Sequence, residues 1–386
     1  MLPVRRPPRI LPLVVLLLGA LLAGCGQWPA GGADTAEREV RRAVADWSRA
    51  VPEPLAGIPL TDWAYEVSSV RRDGNGNGDG NGDGERALAT ARLRYRLDGY
   101  DTAPEESARE LELVREGGAW RVSADRPAPG ALPQLWDQGP VSVATGTHSL
   151  VLGGAGQSAG TLREIAAEAD RAVPAASAAW PGPWAGRVVV LVPGSLDAMA
   201  RLLGRPADTY RGLGAVTTGR VGAGPAPADR VVVNPEGYAG LGAEGRRIIL
   251  THEVTHVATR AATSATTPLW LSEGFADWAA YRGASTTPAQ AAPALARAVR
   301  RGELPGELPR TEDFAFGGDP DAAARAYEGA WLACRLIAAK WGEQALVDLY
   351  GRAGREPLET ALRETLGVDR AGLTKAWQES LREELR

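Results

Sequence analysis

Only three histidines occur in this 386-residue chain, His148, His252 and His256, and two of them fall four residues apart in His252-Glu253-Val254-Thr255-His256. On a helix that offset puts both imidazoles on one face with Cβ atoms about 6 Å apart, so both can reach one cation. Ile248, Ile249 and Leu250 before the pair, with Val257 and Ala258 after it, supply the apolar residues of a buried, rigid carrier helix. Glu253 follows His252 directly, beside the cation but off the line of the two imidazoles, where a carboxylate can take a proton from water. The chemistry implied is metal-assisted hydrolysis around one Zn2+, although imidazole and carboxylate donors also accept other divalent ions.

A second block follows in Trp270-Leu271-Ser272-Glu273-Gly274-Phe275-Ala276-Asp277-Trp278. Together the two motifs resemble the zinc-binding helices of the gluzincins, the clan containing thermolysin and aminopeptidase N, and most of all their peptidase MA-like branch. The resemblance covers about residues 214–354 and implies that Glu273 is the third metal ligand. Sixteen residues separate His256 from Glu273, a shorter interval than in those relatives, and residues 263–268 are expected to make the tight connection. Asp277 lies one helical turn beyond Glu273 and can face the same centre. In thermolysin-like enzymes an acid at this offset holds a liganding imidazole, which implies a bond to His252; a solvated helix acid is the competing reading.

Gluzincins often supply a Tyr or His from the helical lobe to steady the oxyanion of the tetrahedral intermediate. Ala326-Tyr327-Glu328-Gly329-Ala330 looks like that helix start and implies the role for Tyr327, although its spacing departs from the relatives' pattern by one residue. A packed core or rim tyrosine is the alternative. Aminopeptidase-type members also carry a Gly-Ala-Met-Glu-Asn block that holds the substrate amine. Here the comparable stretch is Gly214-Ala215-Val216-Thr217-Thr218-Gly219, without a carboxylate, so endopeptidase action on a peptide paired along an edge strand is expected.

Two imidazoles and one carboxylate leave a divalent ion with an open position, where water becomes acidic enough to act near neutral pH. Glu253 then serves as general base. The alternative is a catalytically silent metal-binding lipoprotein acting as a binding or adaptor protein. Other signals point away from chemistry. Ser195 and Thr217 lack the base and orienter of a hydrolase triad. Gly240-Leu241-Gly242-Ala243-Glu244-Gly245 matches a dinucleotide spacing but leads into the metal helix, so it reads as a loop and helix start. His148 reads as an ordinary strand or loop residue and Cys334 as a small core residue.

The elements that must position the site form an α+β layout: a helix-plus-antiparallel-sheet domain, then a gluzincin-like domain with a small sheet and a helical C-terminal lobe. The second domain spans residues 141–386. Strands are expected at 141–152, 187–192, 214–220 and 230–234, and helices at 160–180 and 196–203. Further helices are expected at 243–260, 271–281, 288–300, 322–341, 343–352, 358–366 and 371–385. The first domain spans 34–130, with a helix at 36–50 and strands at 63–70, 87–97 and 111–122. Its ending Glu116-Gly117-Gly118-Ala119-Trp120-Arg121-Val122 is similar to the last hairpin of cystatin-like folds of the nuclear transport factor 2 and SnoaL type. Between two of its strands, residues 73–84 alternate glycine with Asn or Asp, which invites a weak calcium-loop reading. Gly84 stands where an EF-hand needs a bidentate Glu, and a flexible hairpin insert is the alternative.

Residues 1–24 carry Arg5, Arg6 and Arg9 before an apolar run, and Leu22-Ala23-Gly24-Cys25 resembles the bacterial lipobox. The resemblance implies cleavage before Cys25, lipidation of its sulfur, a tether at 25–33, and a lipid-anchored location on the extracytoplasmic face of the cell membrane. Apolar residues make up 44% and charged residues 23%, ordinary globular values that argue against disorder or a polytopic membrane protein. A formal net charge of −4 leaves no broad cationic surface for nucleic acid, so the expected partners are a peptide or protein substrate and the membrane. Two cysteines cannot build a disulfide framework.

Overall fold

Val40 and Val44 lie one turn apart and are fully buried, and with Ala36 they make the apolar stripe that seats helix α1 (Gly31–Trp47) on the first sheet. That sheet is a meander of β1 (Leu60–Asp73), β2 (Arg86–Leu97), β3 (Glu105–Glu116) and β4 (Ala119–Pro127), each antiparallel to the next. Along β2, Ala87, Ala89, Ala91, Leu93, Tyr95 and Leu97 are buried while Arg92 and Arg94 face solvent, the two-residue period of a half-covered sheet. Gly117 and Gly118, at φ +59° and +76°, close β3 onto β4 as the two-residue turn that a right-handed twist favours. The expected strand at 111–122 is therefore two strands around that turn. This computed structural model describes residues 31–73, 84–219, 229–315 and 319–386. The signal segment, Cys25 and almost all of the 73–84 repeat, with its calcium-loop reading, lie outside them. Among the described residues no helix is long and apolar enough to cross a membrane.

One side chain organises the polar floor of the first unit. Arg109 is 1% exposed, with Nε 2.8 Å from Asp125 and its two terminal nitrogens each 2.8 Å from an oxygen of Asp137. Asp125 also accepts from the Tyr65 hydroxyl. Removing the guanidinium strands two largely buried carboxylates, a loss of about 3–5 kcal/mol. Arg109→Met is therefore expected to lower the denaturant midpoint clearly at unchanged metal content; a midpoint within error of wild type would contradict this account of the floor.

The second sheet is built from β5 (Ser142–Thr145), β6 (Ser149–Gly153), β7 (Val188–Val192), β8 (Ala215–Thr218) and β9 (Arg230–Val233), with helix α2 (Ala159–Ala179) between β6 and β7 and α3 (Leu196–Leu203) after β7. Its spatial order is β5-β6-β7-β9-β8, parallel through β6, β7 and β9 and antiparallel at both edges. Strands therefore alternate with helices here, in the order expected, before the helical lobe begins. The continuous apolar runs of β7 and β9 are what a strand covered on both faces requires. The expected strand at 141–152 is the β5–β6 hairpin. Its turn is held by Asp170 of α2, which accepts from the amides of Thr147 (2.7 Å) and His148 (2.9 Å) and from the Ser149 hydroxyl (2.9 Å). His148 is thus a turn residue.

The lobe comprises α4 (Pro235–Ala239), α5 (Ala243–Thr259), α6 (Leu269–Tyr281), α7 (Pro288–Ala291), α8 (Pro293–Arg300), α9 (Pro320–Trp341), α10 (Glu343–Ala353), α11 (Leu358–Leu366) and α12 (Arg370–Glu384). The expected helix at 288–300 breaks at Ala292 because Pro293 has no N–H and pushes the preceding residue out of the helical region, to φ −118° and ψ 59°. The two units are joined by a buried ion pair, in which Arg230 of β9 grips Asp101, just past β2, through contacts of 2.7 and 2.8 Å. Around it Leu55, Ile58 and Leu97 of the first unit share an apolar cluster with Leu135, Leu150, Leu152 and Val189.

Candidate metal centre

Helix α5 lies deep in the main core, with Leu250, Val254 and Ala258 at successive turns all buried against its neighbours α2 and α6. Beside that stripe Thr251, Thr255, Thr259 and Thr263 each donate a hydroxyl bond to the carbonyl four residues back, at 2.7–3.0 Å. The Tyr350 hydroxyl joins the end of this ladder at Thr263 (2.7 Å) and Thr259 (3.2 Å), tying α10 to α5. After α5 the chain turns through residues 263–268, closed by a bond from the Ser264 amide to Thr267 Oγ1 (3.0 Å) and anchored by Thr266 on the Ala353 carbonyl (2.9 Å). Helix α6 then runs back beside α5. Gly274 lets α9 approach it, since a Cβ there would fall 2.2 Å from the Ala330 carbonyl oxygen.

This packing brings the expected ligands together. His252 Nε2 and His256 Nε2 are 3.1 Å apart, and Glu273 Oε2 lies 3.4 Å from the first and 3.5 Å from the second. A tetrahedron with metal–ligand bonds of about 2.0–2.1 Å has edges of roughly 3.3–3.4 Å, so the three donor atoms fit three corners of a zinc site. The donor chemistry fits as well. His252 Nδ1 bonds Asp277 Oδ1 at 2.8 Å, which places the proton on Nδ1 and leaves the Nε2 lone pair for a cation. Among the described residues this is the one cluster of His, Cys, Asp and Glu able to hold a metal ion.

The electrostatics favour positive charge at the centre of the cluster. Burial opposes the imidazolium form of His252, but the Asp277 carboxylate outweighs it, with help from Glu273 and Glu253, and raises the pKa well above its ordinary value. Burial would likewise keep Glu273 neutral, yet the His256 and His252 rings pull its carboxyl well below the usual range. The protein therefore presents a charged carboxylate and two imidazoles that a divalent ion can satisfy together. Because Asp277 fixes the tautomer and orientation of His252, Asp277→Ala is expected to weaken metal affinity by about 10–100-fold. Competition against a chromophoric chelator reads this directly, and undiminished affinity would remove Asp277 from the site.

His252, Glu253, His256, Glu273 and Asp277 line one cavity of about 620 Å3, with Gly214 and Ala215–Thr217 of β8 along one wall and Phe314 and Tyr327 on another. Glu253 is 5% exposed and is held by Thr217, whose Oγ1 lies 2.6 Å from Glu253 Oε2 and 3.0 Å from its carbonyl oxygen. Tyr327, near the start of α9, packs edge-on against Phe314 with ring centroids 5.0 Å apart. Its burial, followed by the carboxylates of Glu273, Asp277 and Glu253, raises its pKa so far that the phenol stays a neutral hydrogen-bond donor. It is thus both a packed tyrosine and a residue of the cavity wall.

Other residues singled out from the sequence lie elsewhere in the fold. His148 is in the β5–β6 turn, Ser195 caps α3 by accepting from the Ala198 amide, and Cys334 is buried against the Leu271 carbonyl. Gly240–Gly245 is a loop and helix start, with Gly242 at the N-cap of α5. The residue that sequence reasoning missed is Thr217, dismissed as a nucleophile without a base. The signal available was its place in Gly214–Gly219, the stretch set against the amine-binding block of the aminopeptidases.

No protein-family model matches the chain, and no curated protein matches it. Similar solved structures include an M1 zinc metallopeptidase from Deinococcus radiodurans, in a mutant form bound to a Tyr-Ser-Ala substrate, at 20% identity over 78% of this chain and 61% of that one, with a TM-score of 0.36. Another is native yeast LTA4 hydrolase, at 11% identity over 84% of this chain and 63% of that one, with a TM-score of 0.40. The chain thus spans less than two thirds of the length of these proteins.

Proposed function

We propose that the chain is a zinc-dependent endopeptidase, tethered at Cys25 to the extracytoplasmic face of a membrane. The reading rests above all on the three donor atoms of His252, His256 and Glu273, spaced 3.1–3.5 Å apart beside a buried carboxylate that is not one of them. A structural zinc site closes with four protein donors, whereas this cluster has three among the described residues, which favours catalysis over scaffolding. The tether is supported by Leu22-Ala23-Gly24-Cys25 and the preceding apolar run.

When bound, the ion supplies Lewis acidity, polarising the substrate carbonyl and lowering the pKa of water to near 7. The chain's own groups do the rest. Glu253 accepts a proton from water as the oxygen attacks the carbonyl carbon, then returns it to the leaving nitrogen as the C–N bond breaks. Tyr327 donates its O–H to the developing oxyanion. Among the described residues strand β8 pairs with β9 and lies at the edge of the sheet, an edge that can take up an extended peptide. The absence of a carboxylate from Gly214-Ala215-Val216-Thr217-Thr218-Gly219, the stretch comparable to the amine-holding block of aminopeptidases, supports endopeptidase action.

Tyr327→Phe is expected to lower kcat by about 100-fold with KM and metal content unchanged, the cost of one oxyanion donor; a kcat within a few-fold of wild type would leave Tyr327 as packing alone. The reading itself is tested by digesting a proteome-derived peptide library with and without chelator. Internal cuts made only without chelator support it. Cuts confined to N-terminal residues would overturn the endopeptidase assignment, and a metal-loaded protein that cuts nothing would instead support a binding or adaptor role.

A further inference from the structure

Strand alternation gives β8 two different faces. Val216 points with Met199, Tyr210 and Val232 into a small apolar cluster, while Ala215 joins Val231 and Val233 in the main core against α5. Thr217 shares the face of Ala215 and is paired in register with Val231. Thr217 itself is half-buried on the cavity wall, outside both apolar clusters, and valine has the same shape and would fill the same space. Packing therefore gives no reason for the oxygen.

The hydroxyl reaches both a side-chain and a main-chain oxygen of Glu253, at 2.6 and 3.0 Å, and it has a single proton to give. The shorter contact lies in the range of charge-assisted O–H···O bonds, whereas the carbonyl is longer and neutral. The proton thus goes to Oε2. Held this way, the carboxylate keeps one oxygen occupied and leaves Oε1 to exchange protons with water and substrate.

We infer that Thr217 is the positioning residue for the general base, fixing the Glu253 carboxylate so that Oε1 alone carries the proton. This rests on the peptidase reading above. In the first half of the reaction Oε1 takes a proton from attacking water; Oε2, now carbonyl-like, still accepts from Thr217. In the second half Oε1 passes the same proton to the leaving nitrogen. The carboxyl group need not rotate between the two steps, so the orientation that Thr217 sets serves both.

The test compares Thr217→Val, which keeps the shape, with Thr217→Ser, which keeps the hydroxyl, in the full chain. Thr217→Val is expected to retain metal and KM while kcat falls about 10–30-fold, the loss of one hydrogen bond to a charged group. Thr217→Ser should recover activity to within about 3-fold of wild type. A second readout needs no turnover. Subtracting the infrared spectrum of Glu253→Gln from that of the parent, both metal-free, isolates the carboxylate stretch of Glu253. That band should move in the Thr217→Val background and stay in place in the Thr217→Ser background. An unmoved band with wild-type kcat in Thr217→Val would overturn the inference, as would a loss of kcat that Thr217→Ser shares in full. If the wild type cut no peptide, the peptidase reading would fail, while the band would still report whether Thr217 holds the carboxylate.

Discussion

Glu253→Gln should lower chelator-sensitive peptide hydrolysis by about 1,000-fold or more while leaving the metal bound, within the range reported for removal of a positioned general base. The substitution is close to isosteric, and the Gln carbonyl oxygen can still accept from Thr217, so the cavity wall should be undisturbed. What disappears is the carboxylate oxygen that would accept the proton of the attacking water. Because Glu253 lies outside the triad of donor atoms, metal content should match wild type, and so should the thermal midpoint. Activity within 10-fold of wild type would remove Glu253 from the base position. Loss of metal together with activity would show that it acts as a ligand.

Removing a ligand should produce the opposite pattern. His256→Ala takes away one of three donors and is expected to leave less than about one tenth of an equivalent of metal after dialysis, with hydrolysis at background. It also removes the largest attraction holding the buried Glu273 carboxylate in its charged form. A metal that binds only the folded chain stabilises it by about 4 kcal/mol at 1,000 times its dissociation constant, so chelator should lower the wild-type melting temperature by several degrees. The His256→Ala protein should melt at the same temperature with and without chelator. A wild-type midpoint indifferent to chelator, in a protein that holds no metal by elemental analysis, would end the metal proposal and the peptidase proposal with it.

Much of the centre was legible because its geometry is local. The four-residue spacings of His252 with His256 and of Glu273 with Asp277 set which side chains share a face once each segment is helical, and the apolar residues around them say that both helices are buried. The helices at 243–259, 269–281 and 358–366 lie at or within two residues of their expected bounds for the same reason. Boundaries shift where a short-range rule cuts an element: Gly117 and Gly118 turn the strand expected at 111–122 into the hairpin that its ending resembled, and Pro293 splits the helix expected at 288–300.

The strand order was not legible. Runs such as Val188–Val192 and Arg230–Val233 announce buried strands but not their neighbours, because pairing is decided by which elements cover the two faces of the sheet. The ion pair of Arg230 with Asp101 is of the same kind, joining residues 129 positions apart with no periodic signal to connect them.

By itself, then, the sequence determined the donor types, their helical faces and the carboxylate beside them, since those depend on residue identity and the 3.6-residue turn. Only the tertiary structure decided that Glu273 stands 3.4 and 3.5 Å from the two imidazoles, that Tyr327 shares their cavity, and that Thr217 of an edge strand reaches Glu253 across 36 residues of chain. Those distances are set by how α5, α6, α9 and β8 close around a common core, a balance of many weak contacts that no single stretch of sequence contains.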